Sequence, residues 1–137
     1  MRTLTLDLAR RCLDAAEEAA RGRDLALTFA VVDAAGHLLA LHRMDGAPWI
    51  TPDIAIGKAW TAAAYGAPSA AQGEKMRDLL AFSSSVSAVT GGRFTPQIGG
   101  LPITIDGEVA GGMGASGASG LQDEAAVRAG LEAAGVA

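Results

Sequence analysis

The sequence predicts an α+β fold: one antiparallel sheet of about five strands, covered on both faces by helices as an α/β/α sandwich. Three observations lead there. Two apolar stretches, residues 25–33 and 37–44, are joined only by Asp33-Ala34-Ala35-Gly36. That link is too short for a crossover, so the strands must run antiparallel. A second pair meets at Asp106-Gly107, a dipeptide suited to a hairpin whose two central residues need positive φ. Helical patterns lie at both chain ends and between the two strand pairs, which supplies cover for each face of the sheet.

The elements follow in order. Thr5 caps a first helix with Asp7 in its first turn, and Leu4, Leu8, Cys12, Ala16 and Ala20 make its apolar stripe. Gly22 ends it. The strand at 25–33 is almost continuously apolar toward its end, as expected where both faces are buried. The strand at 37–44 alternates, placing His37, Leu39, Leu41 and Arg43 on one face and Leu38, Ala40, His42 and Met44 on the other. Thr51-Pro52-Asp53 reads as cap, first-turn proline and first-turn acid of a helix that runs to about Tyr65, before Gly66 and Pro68. Ser69 to Gln72 fits a capping box for a further helix to about Leu80. Residues 82–90, rich in Ser and Val, are assigned to no element. Residues 94–98 read as a short edge strand broken by Pro96. The strand carrying Ile103 and Ile105 turns at Asp106-Gly107 into a run of small residues, 109–115. Gly111, Gly112 and Gly114 there call for something close to the backbone: a packed helix, another subunit or a flat ligand. Ser119 and Gln122 form a second capping box, opening a last helix over 121–134 with Val127, Gly130, Leu131 and Ala134 inward.

Composition narrows the function classes. The 137 residues suit a single domain over 1–137. A net charge of −4 gives no basic footprint for nucleic acid or an anionic membrane. The one cysteine, Cys12, excludes an internal disulfide and a multi-cysteine metal site, and its place on the apolar stripe makes it a small core residue. No run reaches membrane-spanning length and no apolar signal core opens the chain, so a cytoplasmic protein is expected.

Several strings together carry a resemblance: Ala30-Val31-Val32-Asp33-Ala34-Ala35-Gly36, Arg43-Met44-Asp45-Gly46-Ala47, Lys58-Ala59-Trp60-Thr61-Ala62-Ala63, Gly99-Gly100-Leu101-Pro102-Ile103, and Gly114-Ala115-Ser116-Gly117 followed by Gln122-Asp123-Glu124. In this order and spacing the chain resembles the GlcG/HbpS family, which also supplies the C-terminal domain of PduO proteins. The match covers almost the whole chain. It departs at Ala115, where Val is more typical, and at Tyr65-Gly66-Ala67-Pro68-Ser69, where a Phe-and-Thr version is commoner. The resemblance implies a profilin-like fold, homo-oligomers and, in some members, haem binding. It is more specific for fold than for function.

Two groups of residues are candidates for chemistry. His37 and His42 are the only imidazoles, and haem iron is most often held by His. His42, at a strand end, is the better placed; His37 flanks a turn. Arg43, Asp45 and Lys58 form the second group, able to grip haem propionates or a small organic acid. Their alternative is a buried ion-pair network, Arg43 with Asp45 or Lys58 with Asp33. Asp123 and Glu124 read as first-turn acids favoured by the helix dipole. Ser116 only superficially resembles a nucleophile elbow, and amides from Ser116 to Leu121 offer an anion site. The expected function is an oligomeric binder of haem or another small planar or anionic ligand through His42, Arg43, Asp45, Lys58 and Ser116, with His42 as the axial ligand. The alternatives are a cytoplasmic enzyme of small-molecule metabolism with its pocket at Arg43, Asp45, Lys58 and Ser116, or a non-catalytic accessory oligomer. The run 109–115 is the expected self-association surface.

Overall fold

An apolar run with no alternation needs cover on both sides, and β1 (Thr28–Asp33) has it: residues 28–32 are all buried. In the computed structural model, which describes residues 3–137, β1 pairs antiparallel with β2 (Leu38–Arg43) on one side. On its other side it pairs antiparallel with β4 (Glu108–Ser116), which in turn pairs with β3 (Gly100–Ile105). The sheet order is β2-β1-β4-β3. Alternation then sorts the side chains. Phe29, Val31, Met113 and Ala115 face α1 (Leu6–Arg21) and α5 (Gly120–Ala134) in the main core. Thr28, Val32, Gly112, Gly114 and Ser116 face α2 (Thr51–Tyr65).

The sheet has four strands rather than the expected five. Residues 94–98 do not join it. Pro96 removes one ladder donor, and the Thr95 N–H donates instead to the Thr61 hydroxyl of α2 at 2.8 Å. Phe94 is buried with its ring centroid 5.9 Å from that of Tyr65, so the segment lies on α2 rather than on a sheet edge.

The glycines of β4 answer to the first of the three reasons open to them. A Cβ on Gly112 would overlap the Ala59 carbonyl oxygen, and one on Gly114 would overlap that of Ala55, both on α2. The bare strand therefore serves a close helix–sheet contact in the centre of the fold. Residues 111–115, part of the run expected to meet another subunit, are thus buried within the chain's own fold, while Val109 is exposed.

Local signals behave as their chemistry requires. The Thr5 hydroxyl accepts from Leu8 N at 3.1 Å, and Ser119 with Gln122 completes a reciprocal capping box. Asp106 and Gly107 take φ of 52° and 79° in the hairpin. Ser69 differs: its hydroxyl donates to the Gln97 carbonyl, so no capping box forms and Pro68 stands at the cap. The helix it opens, α3 (Ser69–Lys75), stops short of Leu80. The unassigned stretch forms α4 (Leu80–Val89), which has no buried residue. Cys12 is fully buried between α1 and the sheet.

Candidate functional site

The cluster expected from the sequence divides over two faces of the sheet. His42 shares a rung with Phe29 and so faces α1. There its Nδ1 contacts the Glu17 carboxylate, with Asp14 at 4.0 Å, and Glu17 also accepts from Arg21 at 2.8 Å. His37 is exposed beside its turn. Arg43, one residue along from His42, shares a rung with Thr28 and so faces the α2 side. Its Nε donates to the Ala47 carbonyl at 3.1 Å, and Asp45 is exposed.

Lys58 and Ser116 do come together, with Asp123. Lys58 lies on the Ala-rich face that α2 lays on the sheet, and the residue is 5% exposed. Its ammonium donates to the Ala115 carbonyl at 2.9 Å and to Asp123 Oδ2 at 3.2 Å. The other carboxylate oxygen of Asp123 accepts from Ala118 N at 3.0 Å. Burial pushes the Asp123 carboxyl above its ordinary value of 3.8; the Lys58 charge and the Ala118 N–H pull it down without cancelling that effect.

Lys58 is therefore half of an ion pair, but not with Asp33. The Asp33 carboxylate instead accepts from Ala35 N at 3.0 Å and His37 N at 2.9 Å, closing the β1–β2 turn. Asp123 was legible only as a first-turn acid. The signal that pointed to a buried partner was Lys58 itself, a lone cation on an alanine face; nothing local identified a residue 65 positions away.

Lys58, Ser116 and Asp123 line a cleft of about 330 Å³, walled by Ile54, Gln97, Ile98, Ala118 and Gly120. It opens between α2, the 95–99 segment and the start of α5. Arg43 and Asp45 are not among its lining residues. Among the described residues, no three His, Cys, Asp or Glu side chains group to hold a metal ion, and no helix is long and apolar enough to cross a membrane.

Comparison with known proteins agrees with this architecture. Protein GlcG of Escherichia coli K12 is 34% identical over 113 residues, covering 82% of this chain and 81% of its own. The crystal structure of HbpS superposes with a TM-score of 0.84 at 32% identity, covering 96% of this chain and 90% of HbpS. A PduOC:haem complex superposes with a TM-score of 0.84 at 25% identity, covering 99% of this chain and 98% of PduOC. The family model described as haem degrading protein HbpS-like matches residues 4–132, and the chain belongs to that GlcG/HbpS-like family.

Proposed function

We propose that this protein binds haem as a homo-oligomer, with His42 as the axial ligand. The observation that carries this reading is the contact between His42 Nδ1 and Glu17. A neutral imidazole that donates Nδ1–H to a carboxylate presents its Nε2 lone pair outward, and the carboxylate fixes the orientation of the ring. This is how a histidine is set up to hold a metal. The His42 side chain is 34% exposed, so a ligand can reach it from the edge of the sheet. Family membership and the likeness to a haem complex support the choice of group. Bound haem would supply an iron centre; the chain would supply its donor, the orienting carboxylate and the neighbouring Arg21 charge. Arg43 is not part of this site, because it faces the other side of β2.

Titration with haem tests the proposal. A Soret shift saturating at a fixed ratio to subunits is expected. His42→Ala should change the ligand-field bands and His37→Ala should leave them alone. Identical spectra for wild type and His42→Ala would reject His42.

Self-association rests on α4. Leu79, Leu80, Phe82 and Val89 are all exposed, and residues 80–89 carry no charge. A short apolar helix with nothing buried is costly to leave in water and barely stable alone. A second copy of the chain is the partner proposed for it.

A further inference from the structure

The Lys58 cleft lies on the α2 side of the sheet, away from His42, and its chemistry does not depend on the haem reading. Three features define it. First, Ser116 is only 7% exposed and lines the cleft, yet no described residue hydrogen-bonds its hydroxyl. The hydroxyl therefore opens onto the cleft, where water or a ligand is its partner. Second, the Lys58 ammonium has three donors, and two are used, by Ala115 and Asp123. Third, the site is balanced in charge. Asp123 answers Lys58 directly and also stands in the first turn of α5, where it offsets the positive end of the helix dipole. A carboxylate ligand would thus meet no net positive charge and would have Asp123 against it.

We infer that the cleft is a binding site for a small uncharged carbonyl compound, whose oxygen accepts from Ser116 and Lys58 and whose apolar body lies on Ile54 and Ile98. The volume of about 330 Å³ is at the low end for ligand pockets and leaves ample room for a small molecule. The inference reverses the anion-clamp expectation for Lys58, because the lysine's charge is already neutralised inside the fold.

The test uses propionamide, an unreactive neutral carbonyl probe, against propionate, its charged counterpart of similar shape. Amide chemical shifts of the wild-type protein are followed as each is added up to about 100 mM, a range that detects millimolar affinity. Propionamide should give saturable shifts at Gln97, Ile98, Ser116, Ala118 and Gly120, and propionate should bind at least several-fold more weakly. Ser116→Ala leaves the ion pair intact and should weaken propionamide about tenfold, the loss expected for one hydrogen bond. Ile98→Trp should block the cleft. Equal binding of propionate would overturn the assignment of a neutral ligand. No saturable shift with propionamide, or an unchanged affinity in Ser116→Ala, would overturn the site. None of these outcomes bears on haem binding at His42, which is read separately by its Soret band.

Discussion

Lys58 Nζ stands 3.2 Å from Asp123 Oδ2, with the two side chains 7% and 2% exposed. The pair ties the middle of α2 to the first turn of α5 across the end of β4. Removing one partner leaves an uncompensated charge in the interior. Lys58→Met should therefore lower stability by about 3 kcal/mol. The double change Lys58→Met with Asp123→Leu should recover much of that loss, since no charge then remains buried. Denaturant unfolding of the three variants measures both. A Lys58→Met protein as stable as wild type would show that the pair carries no structural weight.

The same burial gives a pH dependence. The folded carboxyl of Asp123 titrates above its ordinary value of 3.8, with burial the main cause. Between the unfolded and folded values the native state binds more protons than the unfolded state. Stability from this group is thus present below the unfolded value and is lost as pH rises through the folded one. Asp123→Asn has no such titration. The stability of wild type minus that of Asp123→Asn should fall as pH rises from about 4 upward. A difference that rises over this window would mean that Lys58, not burial, sets the titration.

Gly112 tests how β4 meets α2. Its Cβ would overlap the Ala59 carbonyl oxygen, which is backbone and cannot swing aside. Gly112→Leu should unfold or strongly destabilise the individual chain, by about 3 kcal/mol or more. Thermal unfolding followed by circular dichroism is the measurement. A stably folded monomer would instead place Gly112 at an interface between subunits.

Glu17 is predicted to act through His42. Glu17→Gln keeps the shape but removes the charge behind the imidazole. Haem affinity should fall about tenfold or more, the usual effect of losing such an outer partner. In the His42→Ala background, Glu17→Gln should have no further effect, since Glu17 acts through the imidazole. Equal affinities for wild type and Glu17→Gln would remove the carboxylate from the site.

Phe82→Glu on α4 should lower the oligomeric state measured by light scattering at micromolar protein while leaving the melting transition of the subunit nearly unchanged, because Phe82 is 56% exposed and no α4 residue is buried. An unaltered assembly would take α4 out of the interface.

How much of this was legible beforehand depended on whether the physics was local. The Asp106-Gly107 hairpin, the Thr5 and Ser119 caps and the Gly66 stop were readable because each is decided by φ and by hydrogen bonds within a few residues. The apolar run of β1 likewise announced a strand covered on both faces. Residues 94–98 were misread because their hydrogen-bond partners lie on α2, and Ser69 because its hydroxyl reaches the carbonyl of Gln97 rather than its own helix.

The candidate site shows the same division. The sequence by itself determined the family's fold, the alternation that sets His42 and Arg43 on opposite faces, and the presence of one lysine on an alanine-rich helix. Only the tertiary structure decided that Lys58 meets Asp123, that Glu17 stands behind His42, and that Arg43 and Asp45 lie outside the cleft. Backbone periodicity specifies which way a side chain points. What it meets there depends on which distant element is packed opposite, and for a buried charge that encounter is what sets both its cost and its chemistry.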